Sequence, residues 1–174
     1  VAAENAYYED DLVKAFVIAS IFWALFGMAV GVFAAAQLVW PVLNFNIAEI
    51  SFGRIRTVHT NAVLFGFGVS ALMGTSIYSV QRTCHVRIFS PTTAWNIFFA
   101  WQTTIAFGLA SLFLGANGGK EYAVLEWIFD IAITIIWVAY AVVFFGTLAI
   151  RKIRPIYISN WFYGAFIIVV AMLH

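Results

Sequence analysis

Five stretches of this chain contain no Asp, Glu, Lys or Arg: Ala15 to Ala48, Thr57 to Gln81, Ile88 to Gly119, Ile131 to Ile150 and Pro155 to His174. A run of about 20 apolar residues, wound into a helix, matches a hydrocarbon core about 30 Å thick, and its backbone satisfies its own hydrogen bonds where no water can. Little chain is left over for anything else. With 64% hydrophobic and 10% charged residues, there are too few polar groups to clothe a water-soluble surface. The reading is an all-α integral membrane protein, a single transmembrane domain over residues 1–174, with helices at about 15–40, 57–80, 90–114, 127–149 and 155–174. Residues 1–13 read as a short soluble arm, because VAAENAYYEDD is too acidic for the basic start of a signal peptide.

Local punctuation agrees with that division. Pro41 removes a donor and disfavours helix in the residue before it, which ends the first span. GANGGKEY after the third span offers glycines for a sharp reversal. A net charge of +1 with no run of basic residues excludes a nucleic-acid or polyanion site. The one cysteine, Cys84, excludes an internal disulfide and a CxxC metal site, and reads as a small apolar filler. Lys14, Arg82, Arg87, Arg151, Lys152 and Arg154 fall on one side of the five spans, and Arg54, Arg56 and Lys120 on the other. Basic loops stay inside, so the N-terminus is expected in the cytoplasm and His59 near the external surface.

His59 stands at the mouth of a glycine-studded segment, RIRTVHTNAVLFGFGVS. An imidazole in a membrane helix needs partners for its ring nitrogens, so its presence calls for a reason. At about 100° per residue, Val63, Gly66, Ser70, Gly74 and Ile77 share its helix face. The small ones admit either a neighbouring helix or the plane of a macrocycle, and spacing alone leaves both open. Gly27, Gly31 and Ala35 in the first span show the same habit without a histidine, where helix packing is the natural account. In the functional reading, His59 is an axial ligand of haem iron, and Arg54 and Arg56 at the aqueous edge pair with the propionates. In the plainer reading, His59 bonds across helices or to interfacial water, and the arginines meet lipid headgroups.

From about Val30 onward, GVFAAAQLVWPVLNFN, SFGRIRTVHTNAVLFGFG, YSVQRTC, KEYAVLEWIFDI, IIWVAYAVVFFGTLA and IYISNWFYGAFI follow one another. This order resembles the first five helices of the catalytic subunit, subunit I, of cbb3-type cytochrome c oxidases, in the haem-copper oxidase superfamily. The resemblance implies the N-terminal part of that helix bundle, multi-pass in the bacterial inner membrane. It makes His59 an axial ligand of a low-spin haem b and places Glu121 near the propionates and a bound calcium ion; on the spacing given above, Arg54, Arg56, Gly66 and Ser70 are the residues expected around that cofactor. It also implies electrons arriving from c-type cytochrome subunits, and a proton-pumping terminal oxidase that reduces dioxygen. The family motif KEYAELEW is altered here, with Val124 in place of its second acid.

The family's two haems and its copper take more histidines than His59, His85 and His174. His85 reads as a solvated loop residue and His174 as an interfacial one. The high-spin haem and CuB are therefore expected on the remaining helices of subunit I, on the same or a separate chain, and this chain carries no catalytic residue of its own. The alternatives are the matching segment of a nitric oxide reductase large subunit, which shares the histidine, and a haem-free structural or assembly subunit. Glu126 and Asp130 suit the positive end of the fourth helix, with Asp130 deep enough to be a candidate proton relay. Trp127, Trp137 and Trp161 read as belt or packing residues, and Gln37, Asn61 and Asn96 as buried groups bonded between helices.

Overall fold

Ser90 and Pro91 show how this sequence starts a helix: the proline occupies a first-turn position where its missing N–H is not needed, and the Ser90 hydroxyl accepts the N–H of Thr93 at 3.4 Å. The computed structural model describes residues 8–120 and 124–173. Among them are five long helices: α1 Asp10–Val39, α2 Phe52–Cys84, α3 Pro91–Leu114, α4 Trp127–Ala149 and α5 Ile158–Leu173. No strand occurs among the described residues. Helices α1 to α4 are long and apolar enough to cross a membrane, and α5 is shorter at 16 residues.

Helix ends differ from the uncharged limits for a physical reason. Charge bars a residue from hydrocarbon, not from a helix, so α2 runs outward through Arg54 and Arg56 and on past Arg82. Helix α1 begins at Asp10, inside the segment read as an arm, because Asp10 and Asp11 favour the positive end of the helix in its first turn. Within α2, Ala62–Val69 winds as a π-helix, whose wider turns rotate everything that follows.

Among the described residues two compact units emerge, one of residues 8–17, 71–101 and 133–173, the other of residues 18–70, 102–120 and 124–132. In the first, Gln81 is the organiser. It is 1% exposed, its Oε1 accepts the backbone N–H groups of Glu9 at 2.9 Å and Ile88 at 3.4 Å, and its Nε2 donates to the Ile77 carbonyl at 3.1 Å. The rest of VQRTC works alongside it. Arg82 donates to both carboxylate oxygens of Asp10 at 2.9 and 2.8 Å and lies over the rings of Tyr8 and Tyr78. Thr83 accepts from Asn160 Nδ2 at 2.8 Å, and the Cys84 carbonyl accepts from the Lys152 backbone at 3.0 Å. Arg87 pairs with Glu9 through Nε at 2.8 Å.

Deeper in the same unit, Ser76 donates to the Met73 carbonyl at 2.8 Å, so the Tyr140 hydroxyl, 2.5 Å away, must donate to Ser76. Trp137, buried, donates to the Ile167 carbonyl at 2.9 Å, which makes it a packing residue, whereas Trp127 and Trp161 are exposed. Cys84 is buried and free.

Replacing Gln81 by leucine strands two backbone donors, Glu9 and Ile88, in a buried setting, and is expected to cost about 2–4 kcal/mol. Denaturant titration in detergent checks this: the leucine variant unfolds at a clearly lower midpoint, while Arg82→Gln, which breaks an exposed pair, stays near the wild-type value.

Candidate functional site

The second unit is built around His59. Its Nδ1 lies 2.8 Å from the Gly27 carbonyl oxygen of α1. A carbonyl can only accept, so Nδ1 carries the ring proton and Nε2 keeps its lone pair. Among the described residues, Nε2 has no hydrogen-bond partner.

The backbone of α1 explains why the ring can reach that carbonyl. In an α-helix the Gly27 carbonyl accepts the N–H of residue 31, so a second donor must approach alongside residue 31. A Cβ built on Gly31 would lie 2.6 Å from His59 Cε1 and 2.7 Å from Nδ1, closer than atoms can come. Glycine is required there. A Cβ on Gly27 would meet Val63 Cγ2 at 2.8 Å, so the pair forms a seat for the imidazole and for α2 beside it. The sequence displayed these glycines, but only as packing residues without a partner.

Gly66 and Ser70 are placed differently from the reading that put them against a macrocycle. A Cβ on Gly66 would lie 2.8 Å from Cγ of Trp23, whose indole fills that space. Ser70 is fully buried and accepts from Gln102 Nε2 at 3.1 Å, and Gln102 Oε1 accepts from Trp23 Nε1 at 2.7 Å. Both residues serve helix packing. Gly66 faces α1, as His59 and Val63 do, and the space beside it is taken by Trp23.

Arg54 has a structural employment. Its Nη1 donates to the Phe113 carbonyl at the end of α3 at 2.8 Å and lies 3.8 Å from Glu49. Gly115, at φ +91°, makes room for it, since a Cβ there would fall 2.6 Å from Arg54 Nη2. Arg56 is exposed and joins Thr57, Thr60, Asn61, Asn117, Gly119 and Val124 around a cavity of about 240 Å³. Asn61 is 3% exposed; its Nδ2 donates to the Thr57 carbonyl at 2.9 Å and, among the described residues, its Oδ1 has no hydrogen-bond partner. Val124 is buried, and its carbonyl accepts the N–H of Gly118 at 2.8 Å.

Other expectations resolve as follows. Gln37 is buried but bonds to carbonyls of the two short 3-10 turns that follow α1, Ile50 at 2.7 Å and Leu43 at 3.3 Å, rather than to another membrane-spanning helix. Asn61 bonds within its own helix, and Asn96 is exposed rather than buried. His85 is exposed, and Asp130 is partly exposed in the first turn of α4. Glu121 and His174 lie outside the described residues. Among the described residues no group of His, Cys, Asp and Glu is clustered to hold a bare metal ion, so His59 offers a single imidazole.

An imidazole with one nitrogen tethered and the other available is chemically suited to donate Nε2 to a metal centre. Residues 11–174 match the cytochrome c and quinol oxidase polypeptide I family, and the chain belongs to that family. It is a multi-pass membrane protein. It is 55% identical over 172 residues to the cbb3-type cytochrome c oxidase subunit CcoN1 of Stutzerimonas stutzeri, covering 99% of this chain and 36% of the relative. It is 45% identical to cytochrome c oxidase subunit 1 of Rhodobacter capsulatus, covering 96% of this chain and 32% of that protein. A subunit 1 homolog of Agrobacterium tumefaciens is also 45% identical, with 96% and 31% covered. The chain thus spans about a third of the length of the curated relatives it matches.

Gly115→Ala is expected to lower stability by about 1–2 kcal/mol, through a strained positive φ and displacement of Arg54. Gly53→Ala, a helical position with nothing within 4 Å of the added Cβ, is expected to be neutral or slightly stabilising. Thermal midpoints of the two variants in the same detergent check the contrast.

Proposed function

We propose that this chain forms the electron-entry part of a cbb3-type cytochrome c oxidase subunit I, with His59 Nε2 as an axial ligand of a low-spin haem b. The observation that carries the reading is the hydrogen bond from Nδ1 to the Gly27 carbonyl. It selects the tautomer a haem iron needs, fixes the ring plane, and raises the basicity of the ligating nitrogen. A haem held there supplies a one-electron iron centre whose potential answers to axial ligation, nearby charge and burial.

The surrounding residues have distinct tasks in this reading. Gly31 lets the ring dock against α1. Arg56, exposed three positions before His59, offers its guanidinium to a propionate. Arg54, held by the Phe113 carbonyl, contributes positive potential from a fixed position rather than a free side chain. Glu121 supplies a hard oxygen ligand for a calcium ion beside the propionates. Gly66 and Ser70 act indirectly, by packing against Trp23 and Gln102.

The opposite axial ligand, the high-spin haem and CuB belong to the remaining helices of subunit I, and c-type cytochrome subunits deliver electrons. Oxygen reduction and proton pumping are activities of that assembly, in the bacterial inner membrane with the N-terminus cytoplasmic. The chain's local chemistry is to bind, orient and tune one haem.

In the full-length subunit with its partners, His59→Ala is expected to abolish the low-spin haem b band of the reduced-minus-oxidised spectrum while the helices remain inserted. Gly31→Ala is expected to shift or weaken the same band by displacing the ring. An unchanged low-spin spectrum in His59→Ala would reject the assignment, and an intact assembly containing no haem would favour a structural subunit.

A further inference from the structure

Between the end of α2 and the start of α5, an open cavity of about 580 Å³ is lined by His85, Ile153, Arg154, Pro155, Ile156 and Tyr157. We propose that this cavity seats the headgroup of an anionic phospholipid.

Its position is the first argument. His85 follows the last residue of α2, and Tyr157 precedes the first residue of α5. The ends of membrane-spanning helices lie in the headgroup layer, where tyrosine and arginine are at home. The lining is amphiphilic in the same sense as a lipid. Arg154, His85 and Tyr157 bring a guanidinium, an imidazole and a phenol for a phosphate, and Ile153, Pro155 and Ile156 bring apolar surface for the glycerol and upper acyl carbons.

The distribution of charge is the second argument. Arg82 is bound by Asp10 and Arg87 by Glu9. Arg151 directs Nη1 at the Leu148 carbonyl and Nε at the Arg154 carbonyl. Arg154 therefore enters this network through its backbone only, and among the described residues its guanidinium has no hydrogen-bond or ion-pair partner. Among the described residues no carboxylate lines the cavity. An exposed Lys152 adds a further positive charge beside it.

Backbone geometry supports a preformed seat. His85 adopts φ +54°, uncommon for a residue with a side chain, and is held there by flanking bonds from Val86 N–H to the Gln81 carbonyl and from Lys152 N–H to the Cys84 carbonyl. The electropositive start of α5 begins one residue after Tyr157.

The test uses the full-length subunit in its complex, stripped of loosely bound lipid and placed in nanodiscs of phosphatidylcholine containing a minority of phosphatidylglycerol. Native mass spectrometry counts the phosphatidylglycerol that remains bound on release. Arg154→Gln is expected to lower that retention about five-fold relative to wild type, with Arg154→Lys largely restoring it and phosphatidylcholine retention unmoved. Added inorganic phosphate is expected not to displace the lipid, because it lacks the apolar portion. Equal retention in wild type and Arg154→Gln overturns the proposal. So does full displacement by inorganic phosphate, which would make this a soluble-anion site, or a polypeptide segment filling the cavity in an experimental map of the complex.

Discussion

One hydrogen bond organises the unit of this chain that contains His59. In hydrocarbon, each unpaired polar group costs several kcal/mol, so an imidazole placed there must satisfy both ring nitrogens or hold one for a purpose. The Gly27 carbonyl satisfies Nδ1 of His59 while still serving its own helix, because an oxygen has two lone pairs. That double use is open only because residue 31 has no side chain. The small-residue spacing of α1, a general device for bringing helices together, here brings a ring to a backbone. From that contact follow the tautomer, the available Nε2 and the close approach of Val63 to Gly27.

The other unit follows the same rule. Gln81 gathers two backbone N–H groups from separate segments, and Tyr140 passes its proton donation through Ser76 to a helix carbonyl. Polar side chains at these positions satisfy groups that lipid cannot. The VQRTC motif owes its character to this work: a buried amide clamp, an arginine fork on Asp10, a threonine acceptor for Asn160 and a small buried thiol.

The five helices and the family were legible because both are written in local terms, as uncharged runs and as motif order. Helix ends were less so, since α2 carries its arginines beyond the hydrocarbon. His59 was visible as a residue needing a reason, and Gly27 and Gly31 as a pattern. Their meeting was not visible, because a single sequence does not say which helix faces which. Gly66 and Ser70 were visible as small residues, but Trp23 and Gln102 as their neighbours were not. Gln37 was rightly read as buried, but its partners are carbonyls of the two short 3-10 turns that follow α1, a tertiary fact. Arg54 was read by its charge, whereas its planar fork found a helix-end carbonyl.

The most direct measurement is an experimental density map of the full-length subunit in its complex, at a resolution that fixes the His59 ring. The account expects a haem iron coordinated by Nε2, with Nδ1 still bonded to the Gly27 carbonyl and the ring against Gly31. A haem ligated elsewhere, or a ring turned so that Nδ1 faces the iron and the Gly27 carbonyl is abandoned, would contradict it.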